Sequence, residues 1–341
     1  MQKVKVIVCG LGKVGRAFLE LVSAKAEITK KRYGLDVQII AASDIDGSAL
    51  CGSGLPLAEV VANLKKGVAV HSLPDWGTTE TGQDVLEKMK AHVFIEATPT
   101  NLVHGEPGLS HIRGALERGL HVVSANKGPL VLFYKELHDL ARGKGCSIGI
   151  GAATAAALPT VDVGSYCLAG ADIVEIEGIL NGTTNYVLTR MDKEGISYED
   201  ALAEAQEKGI AETDPSLDVE GWDTANKMVL IANRVLGASI TRNDVEVQGI
   251  AGMERSALES ARLENKVVKL VGSARASHDG IKVRVGPSKL DIGHPLAAVN
   301  GPEKALSYLT DTMDRVTISG GKSSPVGAAA ALYKDLVNIF T

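Results

Sequence analysis

Residues 3–22 read KVKVIVCGLGKVGRAFLELV, and the change of period inside this stretch decides the fold of the first half of the chain. Residues 3–9 form a β-branched run bounded by glycine, the pattern of a buried strand. From Lys13 onward the apolar residues return at helical spacing. Between the two stand Gly10, Leu11, Gly12, Lys13, Val14 and Gly15. In a strand–turn–helix setting each glycine has its own task. Gly10 makes the tight turn, Gly12 lets a pyrophosphate approach the backbone, and Gly15 lets the helix lie close to the strand. The helix start, with Lys13 and Val14, offers free N–H groups and the positive end of the dipole to phosphates. Any glycine-rich turn can imitate this pattern. It is strengthened by its place at the head of the chain, by a second strand VQIIAAS (37–43) and by the acid that follows, Asp44.

Asp44 is a candidate for the ribose hydroxyls, where a carboxylate repels a 2′-phosphate and favours NAD. It lies later than the interval of ~20 residues usual for this fingerprint, and the basic segment KKRYG (30–34) fills the excess. The competing reading is a turn acid in SDIDG (43–47). Strands HVFIEAT (92–98), HVVSAN (121–126) and CSIGIGA (146–152) then alternate with helices LSHIRGALERG (109–119) and LFYKELHDLARG (132–143). That alternation predicts an α/β fold with a doubly wound, Rossmann-type parallel sheet. Ligands gather at the carboxyl ends of such strands, which brings Gly10, Gly12, Asp44, Thr98 and the pair Asn126-Lys127 to one edge.

The pattern changes after about residue 160. Strands DIVEIEGIL (172–180), KVVKLVGSARA (266–276) and IKVRVG (281–286), the last two joined by the hairpin-like SHDG (277–280), predict an α+β domain with a mixed or antiparallel sheet. The final GAAAALYKDLVNIF (327–340) reads as a helix that packs back on the nucleotide domain. The expected divisions are 1–150, 151–318 and 319–341. A chain of 341 residues is long enough for two cores. Its net charge of −5, with no basic stripe, gives no reason to expect nucleic acid as a partner. The expected absence of a signal peptide, and of any apolar run near the roughly 18 residues of a membrane span, predicts a cytoplasmic protein with no membrane partner. Cys9, Cys51, Cys146 and Cys167 are far apart, without metal-ligand spacing, and read as buried thiols of a reducing compartment.

The segment AETDPSLDVEGWDTANK (211–227) crowds carboxylates and a lysine around a proline and a glycine. Asp223 and Lys227 stand one helical turn apart. By itself this spacing also describes an exposed ion pair worth about 0.3–0.5 kcal/mol. Taken with GLGKVGR (10–16), SANKGPL (124–130), GILNGTTNYVLTRM (178–191), EAQEKGIAETDPSLDVEGWDTANK (204–227), HPLA (294–297) and NGPEKAL (300–306), it makes the chain resemble the homoserine dehydrogenases from end to end. The resemblance implies two domains with a cofactor cleft, a homodimer formed through the second domain, and NAD, preferred here, or NADP as hydride carrier between homoserine and aspartate semialdehyde. It also implies a short form without a regulatory domain. By the same resemblance Glu212 binds the substrate ammonium, Thr183 its carboxylate, and Asp218 belongs to the substrate site. Asp223 bonds near the reacting hydroxyl, and Lys227 and Lys127 handle the proton. Thr183 also reads as a helix N-cap.

One loop departs from the family pattern. Where relatives carry a Glu-Ala-Thr-Val-Gly-x-Gly-x-Pro type of run, this chain has GAATAAALP (151–159). The carboxylate that helps hold a monovalent cation in some relatives is Gly151, so no metal is expected. Alanine at 155 and 157 disfavours φ > 0, so the loop is expected to follow another path, and a related hydroxy amino acid stands as an alternative substrate. A cysteine-acylating dehydrogenase is disfavoured, since no cysteine sits in a catalytic turn with a histidine partner. A non-catalytic dinucleotide-binding regulator would have let Glu212, Asp223 and Lys227 drift.

Overall fold

The computed structural model describes residues 1–277, 280–321 and 323–341. The chain forms two compact units, Met1–Ala157 with Ser324–Thr341, and Leu158–Ser323. The divisions expected after 150 and 318 therefore fall after 157 and 323. The first moves because the short helix Gly151–Thr154 packs on the C-terminal helix Pro325–Asn338, with the Gly151 N–H donating to Asp335 Oδ2 at 2.9 Å. The second moves because a cut after 318 would divide a strand of the second sheet, Arg315–Gly320.

In the first unit, β1 (Gln2–Cys9), β2 (Leu35–Asp44), β3 (Gly47–Leu50), β4 (Gly77–Thr78), β5 (Val93–Glu96), β6 (His121–Ser124) and β7 (Ile148–Gly149) form one sheet ordered β4-β3-β2-β1-β5-β6-β7. β2, β1, β5, β6 and β7 run parallel. The edge made by β3 and β4 is antiparallel, a departure from the all-parallel expectation. It arises because β2 turns straight back at Ile45-Asp46 into β3, with Asp44 opposite Gly47. The helix Lys13–Tyr33 absorbs the basic KKR and so accounts for the late arrival of Asp44. The strand expected over 146–152 shrinks to β7, since Gly151 already begins a helix.

Strand order reverses between β1 and β5, so their carboxyl ends border the crevice where ligands of open α/β sheets bind. The C-terminal helix lies on Lys13–Tyr33, where Tyr333 meets Phe18 edge-on at 6.3 Å and hydrogen-bonds Thr29.

In the second unit, β8 (Ile173–Ile179), β9 (Val245–Val247), β10 (Lys266–Ser277), β11 (Gly280–Asp291), β12 (Lys304–Thr310) and β13 (Arg315–Gly320) form a sheet ordered β13-β12-β8-β10-β11-β9. It is antiparallel except where β9 runs parallel to β11, hence mixed. Part of the expected SHDG connection, residues 278–279, lies outside the described residues. The helix Trp222–Val235 packs on β10 and β11. A Cβ at Gly272 of β10 would stand 2.5 Å from Met228 and 3.0 Å from Thr224, so the bare backbone there sets how close this helix comes. Among the cysteines only Cys9 is buried and Cys167 is exposed, which corrects the expectation of four buried thiols. No helix among the described residues is long and apolar enough to cross a membrane.

β10 also carries Lys269, only 3% exposed. Its ammonium donates to the Val299 carbonyl at 2.5 Å, Asn185 Oδ1 at 3.3 Å and Asn300 Oδ1 at 3.4 Å. Burial pushes its pKa down to about 8, against ~10.4 for an unfolded lysine. Below that lower value the folded chain carries a charge it disfavours, so this group costs stability there. The cost is relieved as pH rises from about 8 towards ~10.5, because the unfolded chain then binds more protons than the folded one. Lys269→Met cannot titrate. The stability of the wild type minus that of the variant, from urea unfolding, is expected to rise by about 2–3 kcal/mol across that window. A flat difference would mean that the ammonium is not desolvated.

Candidate active site

The glycine turn behaves differently at each of its three positions. Gly10 has φ +94°, and its N–H donates to the Ser43 carbonyl at 2.9 Å. A Cβ on Gly10 would stand 2.4 Å from the Ala97 carbonyl, so β1 and the loop after β5 touch backbone to backbone. A Cβ on Gly15 would lie 1.9 Å from the Gly10 carbonyl oxygen. A Cβ on Gly12 would meet nothing within 4 Å. The first and third glycines are thus demanded by the fold, while the second leaves open space at the start of the helix. That combination fits a pyrophosphate drawn up to the N–H groups of an uncapped N-terminus, where Lys13 is exposed and Val14 half-buried.

Asp44 stands at the carboxyl end of β2. It ends the strand beside the turn, and its Oδ1 accepts from the Ile45 N–H at 3.1 Å while the residue stays partly exposed. Thr98 and Asn126 meet. The Asn126 amide donates to Thr98 Oγ1 at 3.1 Å and to the Pro99 carbonyl at 3.3 Å, and its Oδ1 caps the next helix through the Gly128 N–H at 3.1 Å. Lys127, half-buried, is the first residue of that helix, Lys127–Leu132. Both Thr98 and Asn126 also bond Glu96, which the sequence reading did not single out.

In the second unit Asp223 and Lys227 open the helix Trp222–Val235, behind Gly221 at φ +88°, a conformation that excludes a side chain without strain. Their ion pair spans 2.5 Å with side chains 11% and 13% exposed. The exposed surface pair allowed by the spacing is therefore not what forms. Lys227 Nζ also donates to the Leu180 carbonyl at 2.9 Å. Asn181 joins the two acids, its amide donating to Asp218 Oδ1 at 2.6 Å and to Asp223 Oδ2 at 2.9 Å. Burial raises the Asp218 pKa, and the neighbouring charge of Asp223 adds to the rise.

Asn181, and not Thr183, is the N-cap of the helix Gly182–Glu194, through the Thr184 N–H at 3.0 Å. It precedes the helix in an extended conformation, as caps do, while Thr183 lies inside the first turn and donates to the Ile210 carbonyl at 3.2 Å. Thr183, Asp218, Asp223 and Lys227 thus gather around Asn181, a residue whose signal lay in the Asn-Gly-Thr-Thr run. Glu212 lies outside this hydrogen-bonded group. It sits exposed in the loop before Ser216, where its own carbonyl accepts from Gln206 at 3.2 Å.

The alanines of the loop belong to the first unit, and the division falls directly after the last of them, Ala157. Ala153 and Ala155 are buried, and the one left-handed residue is Ala156 at φ +54°, between the two positions where glycine was missed. Ala155 has φ −132° and needs no glycine.

Two single-methyl substitutions separate fold from binding. Gly12→Ala is expected to leave thermal stability unchanged and to weaken dinucleotide binding roughly tenfold, about 1.4 kcal/mol. Gly15→Ala is expected to lower both, since strand and helix must move apart. Calorimetry with fluorescence titration of the reduced dinucleotide checks the pair, and equal stability losses would remove the distinction.

Comparison with known proteins agrees with the order of these two halves. Residues 10–150 match the NAD-binding domain of homoserine dehydrogenase, and residues 159–337 match the homoserine dehydrogenase family. The homoserine dehydrogenase of Methanocaldococcus jannaschii is 37% identical over 98% of each chain. The NAD(+)-dependent homoserine dehydrogenase of Pseudomonas canavaninivorans is 36% identical over 99% of this chain and 97% of its own. A hyperthermophilic archaeal homoserine dehydrogenase, solved in complex with NADPH, superposes with a TM-score of 0.84 at 25% identity, covering 99% of this chain and 97% of that one. With the dinucleotide turn and the buried acid–lysine cluster both carried by segments that match in order, the chain belongs to the homoserine dehydrogenase family of oxidoreductases.

Proposed function

We propose that this chain oxidises L-homoserine to L-aspartate 4-semialdehyde, and runs the reverse reduction, with NAD preferred over NADP. The observation that carries the reading is the buried Asp218–Asn181–Asp223–Lys227 cluster, which puts a lysine beside two carboxylates in a low-exposure setting. NAD(P) supplies the hydride acceptor for the C4 hydrogen, or the donor in reverse. The chain's own residues handle the hydroxyl proton and the amino-acid head. Two of the three Lys227 N–H donors are directed at Asp223 and the Leu180 carbonyl, and the third is assigned to the substrate oxygen, giving up its proton in reduction and recovering it in oxidation. Asp223 orients that ammonium and bonds near the hydroxyl. The negative balance of the acids favours the substrate ammonium, Glu212 adds to its recognition, and Thr183 is assigned to the carboxylate. Lys127 is assigned a second part in proton transfer. The working form is proposed to be a cytoplasmic homodimer.

Asp44 supports the preference for NAD. The residue after it is Ile45, 85% exposed and uncharged, and Lys65, a candidate compensating cation, is engaged with Glu20 at 3.0 Å. Wild type should show the higher kcat/KM with NAD, and Asp44→Ala should narrow the preference by about tenfold. Higher kcat/KM with NADP in the wild type would reject the assignment.

Turnover of homoserine and related hydroxy amino acids, followed by NADH absorbance, tests the reaction itself. Lys227→Ala is expected to lower kcat by about 10²–10⁴ with little change in dinucleotide affinity, and Glu212→Ala to act mainly on the amino-acid KM. Near-normal kcat in Lys227→Ala would leave the pair as a structural ion pair only.

A further inference from the structure

At the carboxyl end of β5 lies Glu96, a side chain with no exposed surface in a strand otherwise apolar. Burying a carboxylate is costly unless donors surround it, and four do. The Thr98 N–H donates to Oε1 at 2.8 Å, the Thr98 hydroxyl bonds the same oxygen, and the Asn126 amide reaches it at 3.4 Å. His111 Nδ1 stands 3.0 Å from Oε2. A carboxylate so surrounded accepts only, so the imidazole donates from Nδ1. Cys9 completes the cluster, its sulfur 3.7 Å from the same nitrogen. The three side chains lie close enough for a metal ion, their ligand atoms within 4.8 Å of one another. Burial, with the Glu96 charge behind it, instead keeps the Cys9 thiol protonated. Both Glu96 oxygens are also already engaged, so the group is a hydrogen-bonded network.

The network's partners are the two polar groups at the ligand-binding edge. Thr98 follows β5, and Asn126 caps the helix whose first residue is Lys127. We propose that Glu96 is a positioning residue for the reaction, one carboxylate that sets both the dinucleotide contact at Thr98 and the start of the Lys127 helix through Asn126. This rests on the dehydrogenase reading above. It requires reach more than charge. Glutamine at 96 keeps an oxygen for Thr98 and Asn126, and its amide can donate to His111, because a neutral imidazole can present Nδ1 as an acceptor in its other tautomer. Aspartate keeps the charge and falls one methylene short.

The test compares Glu96→Gln, Glu96→Asp and Glu96→Leu in the full chain by NADH fluorescence titration and steady-state kinetics. Glu96→Gln is expected to stay within about threefold of wild type. Glu96→Asp should weaken NADH binding and lower kcat, each by about tenfold or more, at an unchanged amino-acid KM. Should Glu96→Leu not fold, the Gln-over-Asp order still decides. Equal behaviour of Gln and Asp, or lower thermal stability with unchanged NADH affinity and kcat per folded site, would overturn the proposal. NADH affinity reads out without turnover, so failure of the homoserine reaction itself is distinguishable.

Discussion

The contact between Gly15 and the Gly10 carbonyl is the constraint on which the nucleotide half depends. With no room for even a methyl group between them, the helix Lys13–Tyr33 is pressed against the end of β1, and its free N–H groups emerge at the carboxyl edge of the sheet. From that contact the rest follows by packing. Gly10 lies against the loop after β5, that loop carries Thr98, and Thr98 is tied through Glu96 and Asn126 to the start of the next helix. The parallel strands of the sheet are an ordinary buried core. What makes it a binding edge is the accumulation of polar groups, each with a partner, at one end of it.

The second unit reaches its chemistry differently, by drying an ion pair. On a helix surface the Asp223–Lys227 spacing is worth a few tenths of a kcal/mol. Held at 2.5 Å with both side chains nearly covered, such a pair becomes a commitment. Removing one partner leaves an uncompensated charge at a cost of about 3–5 kcal/mol. Asn181 lets the arrangement persist, because one amide group serves two acids while its oxygen caps a helix. The resulting burial raises the Asp218 pKa and leaves the Lys227 side chain only 13% exposed, bonded to Asp223 and the Leu180 carbonyl. Lys269 belongs to the same unit, a desolvated ammonium bonded to the neutral oxygens of Asn185, Val299 and Asn300.

Much of this was legible before any coordinates, and the parts that were not share a cause. The run from Lys3 to Val22, the positions of Gly10 and Gly15, the turn at Gly221 and the helical spacing of Asp223 and Lys227 are local facts. Backbone sterics and periodicity determine them, so the sequence by itself determined a dinucleotide turn, an α/β first half and a mixed-sheet second half. The return of Asp335 to Gly151, the two hydrogen bonds of the Asn181 amide to Asp218 and Asp223 and the buried role of Glu96 are not local. Each depends on which distant residue fills a space or supplies a donor. Only the tertiary structure decided them, because the free energy of a buried polar group is set by its surroundings and not by its neighbours in the chain.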